Sequence, residues 1–224
     1  MSFAFCTSLL VQLAESAAPG CCQSGCPDAT KGCSEAGFVP LFDGKTLRGW
    51  HGDRKLWRVE NGTIVGSTDG KIPHNTFLIH EGNFSDFILK VKFRLHHHKG
   101  NSGIQFRSQE QDDFVVAGYQ ADIADNQFMG ILYGERTGRG IIANVTPEVK
   151  AALEKAIHKD GWNEYVITAQ GDHIVLELNG VKTVDIRDPK GARSGIIALQ
   201  LHRGHNMTIS FKDIRIKVLK SAAD

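Results

Sequence analysis

The sequence has no excess of charge of either sign and no long hydrophobic run. Its 26 Lys and Arg residues are balanced by 25 Asp and Glu residues, which leaves a formal net charge of +1. A surface that neutralises phosphate groups needs an excess of basic residues, so nucleic acid is not an expected partner. No apolar segment is long enough to span a bilayer, and no transmembrane span is predicted. With 41% hydrophobic residues, the 224-residue chain has the composition of a globular protein.

Cysteine is absent from most of the chain. There are five cysteines and none follows Cys33, so the remainder is expected to fold without disulfides. Residues 3–14 have the length of a signal-peptide core, and small residues follow them. We therefore predict an export leader with a cysteine-rich linker over residues 1–37, and a periplasmic or envelope-attached location. Cys21 is a candidate lipid anchor, and disulfides or a zinc knuckle within the linker are the alternatives.

Strand patterns dominate from Phe38 onward. Apolar and polar residues alternate with a period of two in most segments, which is typical of half-buried strands. Asn61-Gly62 and Asn179-Gly180 are typical of tight hairpin turns. Many short strands separated by turn signals predict an all-β jelly-roll sandwich over residues 38–220, with one short helix.

The one helix is predicted within residues 146–161. Thr146 suits the N-cap, and Pro147 suits the first helical position. An apolar stripe is expected to pack against the sandwich. Its members are Val149, Ala152, Leu153, Ala156 and Ile157.

Strand parity predicts a polar patch on the outside of the sandwich. Each sheet buries one face, so side chains that alternate with core residues such as Ile104, Tyr119 and Leu199 project outward. The outward side chains on these three strands are Gln105, Arg107, Gln120, Asp122, Gln200 and His202. If the strands are neighbours, these groups merge into one surface. Amides and charged groups in such a surface suit the neighbouring hydroxyls of a sugar.

Aromatic residues are candidate stacking platforms for a sugar ring. Core packing is the favoured interpretation for each of them, because aromatic rings bury large areas. The candidates are Tyr119, Tyr133, Trp50, Trp57 and Trp162.

The stretch HHHKGNSGIQFRS, residues 96–108, concentrates histidines beside one predicted strand. His96 and His98 share a strand face two residues apart, a spacing that suits a metal ion if Asp122 or His202 supplies a third ligand. Neutral imidazoles at a sheet rim are the favoured interpretation. The GNSG segment, residues 100–103, is interpreted as a turn because its glycines permit chain reversal.

Several blocks together resemble the 3-keto-disaccharide hydrolase family. They include FVPLFDGKTLRGW, GNSGIQFRS, GYQADI, GILYGE, GWNEYVITAQGDHIVLELNG and IALQLHRGHNMTISFKDIRIK, and they span residues 38–219. The resemblance implies a concanavalin A-like jelly roll, common in exported bacterial proteins. It also implies cleavage of 3-keto-glycosides by elimination, or hydration of the resulting 2-hydroxy-glucal. A ketone at C3 acidifies the C2 proton, so a base and groups that stabilise an enolate suffice.

The resemblance also implies roles for the residues of the polar blocks. Asp122 or His202 is the predicted base, Arg107 the stabiliser of the enolate, and Glu135 the acid. Substrate-binding roles fall to Gln105, Gln120, Gln200, Tyr133, His96 and His98. Family members often carry Glu-x-Gln where this chain has Gln120-Ala121-Asp122, which shifts the acidic position. No cofactor is predicted, and a divalent metal is left open.

Three other functions compete with this interpretation. Jelly-roll endo-glycosidases carry Glu-x-Asp-x-Glu on one strand, and here only Asp122 of that run is acidic. A non-catalytic carbohydrate-binding module of the cell envelope would use the same polar face. A structural interaction domain is the third alternative, and it would use edge strands instead.

Overall fold

The computed structural model describes residue 1 and residues 36–220, which contain two antiparallel β-sheets and one α-helix. The strands are β1 (Val39–Pro40), β2 (Trp50–His51), β3 (Trp57–Glu60), β4 (Thr63–Asp69), β5 (Thr76–His80), β6 (Phe87–Leu95), β7 (Asn101–Gln111), β8 (Val115–Ala124), β9 (Leu132–Glu135), β10 (Gly140–Ala143), β11 (Asn163–Gln170), β12 (His173–Leu178), β13 (Val181–Arg187), β14 (Ile196–Leu201) and β15 (Asn206–Val218). The helix is α1 (Pro147–Ala156), and single 3₁₀ turns cover His96–His98 and Asp112–Phe114. The predicted all-β jelly-roll sandwich with one short helix is confirmed.

The order of the strands explains how the two layers form. One sheet has the order β13-β12-β11-β6-β15-β4-β3, and β1 pairs with β15 beside this path. The other sheet has the order β10-β9-β8-β7-β14-β5-β2. We call them the eight-stranded and the seven-stranded sheet. Strands that are distant in sequence, such as β7 and β14, are therefore neighbours in space.

The core lies between the two sheets, as the alternation predicts. The residues of β6 alternate between buried and half-buried along its whole length. Phe87 of β6 packs edge-on against Phe106 of β7, with ring centroids 6.4 Å apart, so the two sheets meet through aromatic side chains. Trp50, Trp57 and Tyr119 are 2–3% exposed and belong to this core. Core packing, the favoured interpretation of these three rings, is confirmed.

The turn and helix signals are confirmed in detail. Asn61 and Asn179 have φ angles of 49° and 50°, and each is followed by a glycine with positive φ. Thr146 caps α1 by accepting a hydrogen bond from the backbone N–H of Val149, at 3.4 Å. The apolar stripe of the helix packs less fully than predicted, because only Leu153 is buried and Ala152 is exposed.

The histidine segment is not a strand. β6 ends at Leu95, and His96–His98 form a 3₁₀ turn in which His97 and His98 have positive φ angles. The prediction that His96 and His98 share a strand face is therefore wrong. The turn reaches only Gly100, because residues 101–103 already belong to β7. The interpretation of GNSG as a turn is therefore wrong for residues 101–103, which are part of a strand.

Arg107 does not face outward, which corrects its predicted position. A bulge between Phe106 and Gln109 shifts the register of β7 against β8, and Arg107 itself has a φ of 47°. The bulge exchanges the inward-facing and outward-facing positions of β7 at this point, so the guanidinium of Arg107 points toward the other sheet. There it donates to an Asp86 carboxylate oxygen at 2.9 Å and to the backbone oxygens of Ser85 and Gly171, both at 2.7 Å. Its side chain is 1% exposed, so Arg107 joins the two sheets.

The predicted leader and linker, including Cys21, lie outside the described residues, so export and anchoring stay predictions. Within the part of the chain that the structure describes, no helix is long and apolar enough to cross a membrane.

We expect Arg107→Ala to lower the free energy of unfolding by about 3–5 kcal/mol, because it leaves the mostly buried Asp86 without its cation. Arg187→Ala is the matched control, since it breaks an exposed ion pair with Asp172 of 2.6 Å. An exposed pair contributes no more than about 1 kcal/mol. Urea unfolding followed by tryptophan fluorescence measures both losses. Equal losses would contradict the role of Arg107 in joining the sheets.

Candidate functional site

Adjacent strands of the seven-stranded sheet bring most of the predicted polar residues together. The pairing places Gln105 of β7 between Ala198 of β14 and Gln120 of β8, and Tyr133 of β9 lies opposite Gln120. The side chains concerned point away from the core. We call this surface the polar face and define it as Gln105, Gln120, Asp122, Tyr133, Glu135 and Gln200. Its members other than the half-buried Tyr133 are 0–7% exposed.

A chain of hydrogen bonds runs across the polar face and ends at a carboxyl group. Ser108 donates to Oε1 of Gln105 at 2.8 Å, and Nε2 of Gln105 donates to Oε1 of Gln120 at 2.7 Å. Nε2 of Gln120 then donates to Oδ1 of Asp122 at 2.5 Å. Because each amide both accepts and donates, the chain fixes the orientation of every member.

Two glycines leave room for this chain. A Cβ added at Gly103 would clash with the side-chain amide of Gln120, and one added at Gly118 would clash with Ser108. Gly103 therefore serves close packing within β7 rather than a turn. Ser108 was not predicted as a site residue, since only the bulge at Arg107 places it beside Gln105.

Asp122 is the most perturbed acid of the polar face. Burial raises the pKa of its carboxyl group from 3.8 to about 7, the hydrogen bond from Gln120 lowers it in part, and the charge of Glu135 raises it further. The hydroxyl of Tyr165 donates to the backbone oxygen of Asp122 at 2.7 Å and holds the strand in place. A carboxyl group with a pKa near neutrality is suited to proton transfer.

Gln200 is fully buried, and neither atom of its side-chain amide has a hydrogen-bond partner. A buried amide without partners costs about 1–3 kcal/mol. The pairing places Leu199 opposite Ile104 and Asp122 opposite Gly103, so Gln200 and Asp122 flank Gly103. Two strand spacings separate their backbones by about 10 Å. A ligand with hydroxyl or carbonyl groups would satisfy this amide.

Loops after β4 and β14 complete the surroundings. Nδ2 of Asn75 donates to Oε1 of Glu135 at 3.1 Å, and Oδ1 of Asn75 accepts from the backbone N–H of Arg203 at 3.0 Å. His202 follows β14, and its Nδ1 lies 2.6 Å from the backbone oxygen of Arg203. A carbonyl oxygen only accepts, so Nδ1 carries the proton and Nε2 has a free lone pair. Burial lowers the pKa of His202, while the charge of Glu135 raises it.

Three predicted site residues lie elsewhere. Arg107 joins the sheets on the core side of the bulge. Nε2 of His96 is 2.8 Å from Oγ of Ser210, a residue of the eight-stranded sheet. His98 lines a cavity at the end of β8. Among the residues in the described ranges, no three or more His, Cys, Asp and Glu side chains are grouped to hold a metal ion.

The cavity beside His98 has a volume of about 480 Å³. It lies between the loop after β8, strand β10 and helix α1. Ala124, which lines it, is two residues after Asp122 in β8 and therefore shares its face. Phe128, Ile141 and Leu153 contribute apolar walls, and Lys150 and Glu154 contribute charged ones. This volume accommodates a small organic ligand.

The burial of Asp122 predicts a pH-dependent stability. Between the ordinary value of 3.8 and the folded value of about 7, the unfolded chain binds fewer protons than the folded protein. Stability therefore falls as pH rises through this range. We expect Asp122→Asn to remove this part of the decline, because its amide does not ionise. Urea unfolding at several pH values between about 4 and 7 measures how the free energy of unfolding depends on pH. Asp113→Asn, which removes an exposed carboxyl group, is the control and should keep the wild-type dependence. The same pH dependence in Asp122→Asn as in wild type would contradict the prediction.

Comparisons with known proteins agree with the predicted resemblance. Residues 37–217 match the family described as the 3-keto-alpha-glucoside-1,2-lyase-like domain. None of the curated proteins compared with the chain matches it.

Solved structures share the fold. A candidate glycosyl hydrolase from Parabacteroides distasonis ATCC 8503 is 19% identical with a TM-score of 0.61, over 82% of this chain and 94% of that one. A second one from the same organism is 22% identical with a TM-score of 0.59, over 81% and 99%. The carbohydrate-binding module CBM66 from Bacillus subtilis is 18% identical with a TM-score of 0.58, over 75% and 95%. These likenesses establish a fold that carbohydrate-related proteins use, and the family match extends over most of the sequence. The chain belongs to the 3-keto-alpha-glucoside-1,2-lyase-like family.

Proposed function

We propose that the protein cleaves 3-keto-glycosides, or hydrates the corresponding 2-hydroxy-glucals, at the polar face. The observation that carries this proposal is the buried Asp122 carboxyl group, whose pKa is raised to about 7, on the same face as the unpartnered amide of Gln200 and two strand spacings from it. An elimination next to a ketone needs one base and one group that stabilises the developing negative charge. The polar face offers both without a pair of catalytic carboxylates.

In the proposed reaction, ionised Asp122 removes the proton from C2 of the sugar. The C–H electron pair forms an enolate with the C3 ketone, and its collapse forms the C1–C2 double bond and breaks the bond from C1 to the leaving oxygen. Asp122 then returns the proton to that oxygen, so the carboxylate is regenerated. A pKa near 7 suits both transfers, because the group gives up and takes a proton with similar ease. Addition of water to the glucal gives the free 3-keto sugar.

The negative charge of the enolate needs a hydrogen-bond donor, and Arg107 is engaged elsewhere. Gln200 is the better candidate, since its amide lies on the polar face with both hydrogens unused. Donors in such a water-excluded site each contribute about 10²–10³ in kcat. Glu135 was predicted to be the acid. We assign it an electrostatic role instead, because its charge raises the pKa of Asp122 and Asn75 already donates to it.

His202 is the alternative base. Its Nε2 lone pair is free, and burial keeps the imidazole neutral by lowering its pKa.

We place the departing group of the substrate in the cavity beyond Ala124, since that cavity begins on the face that carries Asp122.

A carbohydrate-binding module remains the second candidate function. The unpartnered amide of Gln200 suits sugar hydroxyls whether or not a bond is broken. Turnover separates the two candidates, because a binding module would hold a 3-keto-glycoside unchanged.

We expect purified protein to release the 2-hydroxy-glucal or the free 3-keto sugar from 3-keto-disaccharides, with kcat/KM rising as pH approaches about 7, where Asp122 ionises. Below that value the rise is about tenfold per pH unit. Asp122→Asn should lower kcat by about 10²–10⁴, whereas Asp113→Asn should leave it unchanged. Absorbance of the enone product measures the rate. Binding without product would favour the binding module, and an active Asp122→Asn would exclude Asp122 as the base.

A further inference from the structure

The cavity beside His98 adjoins the polar face along two directions of the seven-stranded sheet. Along β8, Ala124 lines the cavity and lies on the same outer side as Asp122, two residues and about 7 Å away. Across the sheet, the pairing places Tyr133 of the polar face directly opposite Ile141 of β10, which also lines the cavity. A substrate bound at Asp122 can therefore extend into the cavity along the surface of the sheet.

One row of side chains becomes less polar toward this cavity. The pairing places Gln105, Gln120, Tyr133 and Ile141 side by side on the neighbouring strands β7, β8, β9 and β10. The row passes from two buried amides through a half-buried phenol to an aliphatic side chain. Ile141 is 44% exposed, so the row ends in apolar surface that a ligand can cover.

Burial divides the lining of the cavity into an apolar floor and a polar opening. The floor consists of the buried and half-buried apolar residues, which are Ala124, Phe128, Met129, Val145, Leu153 and Ile157. The polar lining residues other than the half-buried His98 are exposed and form the opening. Exposed polar side chains are already hydrated, so each adds little when it binds a hydroxyl group. The polar face has the reverse arrangement, because its amides and acids are buried.

The charges of the opening balance. Its two lysines, Lys150 and Lys159, are matched in number by two acids, Asp125 and Glu154. A charged ligand group would gain no net attraction from them, and it would lose hydration on contact with the floor. An uncharged group with an apolar body incurs neither cost.

We infer that the preferred substrates are 3-keto-glycosides whose departing group is an uncharged apolar alcohol, alicyclic or aromatic, rather than a second sugar. The inference rests on the proposed function, because it assigns the cavity to the departing group. The 3-keto sugar occupies the polar face, where buried amides meet its hydroxyl and carbonyl groups, and the apolar alcohol covers Ile141 and the floor. A second sugar would bring hydroxyl groups against apolar lining residues, and each hydroxyl left without a partner costs binding energy. Disaccharides are then the slower substrates.

Cyclohexylmethyl and methyl 3-keto-glucosides, in both anomeric forms, are the probes. Both release a primary alcohol, so they differ mainly in apolar surface. We expect kcat/KM for the cyclohexylmethyl glycoside to exceed that for the methyl glycoside by about 10²-fold, because each buried methylene contributes about fourfold and part of the ring stays near the opening. A 3-keto-disaccharide should have a lower kcat/KM than the cyclohexylmethyl glycoside.

Ile141→Thr should lower the ratio of these two kcat/KM values about threefold to tenfold, because a hydroxyl replaces apolar surface of the cavity. Threonine keeps the β-branched shape that suits a strand. Val39→Thr is the matched control, since it makes the same kind of change at an exposed residue of β1, in the other sheet. This control should keep the wild-type ratio.

The outcomes separate this inference from the proposed function. Conversion of neither glycoside would contradict the proposed function. The affinities of Asp122→Asn for the two glycosides, measured by isothermal titration, would then decide the inference, and tighter binding of the cyclohexylmethyl glycoside would uphold it. A ratio near one in turnover or in affinity would overturn it. The same ratio in Ile141→Thr as in wild type, or faster conversion of the disaccharide, would overturn it as well.

Discussion

The hydrogen-bond chain from Ser108 through Gln105 and Gln120 to Asp122 is the constraint on which the functional site depends. It satisfies amides that would otherwise be buried at a cost, and it places a carboxyl group where water does not stabilise the charge. This chain of hydrogen bonds requires three local features, which are the glycines at 103 and 118 and the bulge at Arg107. The raised pKa of Asp122 follows from the burial that the chain makes tolerable.

The outer sides of the two sheets differ in composition. The seven-stranded sheet buries amides and acids, including the unpartnered Gln200, and is suited to a neutral ligand with hydroxyl and carbonyl groups. The eight-stranded sheet presents half-buried cations and aromatic rings on its outer side. The core between them depends on aliphatic and aromatic packing and on the buried pair of Arg107 with Asp86.

Features encoded by local patterns could be predicted from the sequence. Alternation identified the strands and the parity of Gln105, Gln120, Asp122 and Gln200, and Asn-Gly pairs identified two hairpins. Arg107 was misplaced because a single residue with positive φ reverses strand parity without a sequence signal. His96 and His98 were misplaced because β6 ends at Leu95, three residues before His98, although the alternation continues to His98. Asn75 and Ser108 were missed because their partners are set by sheet order and by the bulge, which are long-range and conformational properties.

The most direct test of this account is the ionisation of Asp122 in the folded protein. A ¹³C NMR titration of side-chain carboxyl carbons, with Asp122→Asn to assign the resonance, reports it without assuming any activity. The account predicts a midpoint of about 7 for the pKa of Asp122. A midpoint near the ordinary value of about 4 would contradict it, because the carboxyl group would then be solvated and unsuited to the proposed proton transfers.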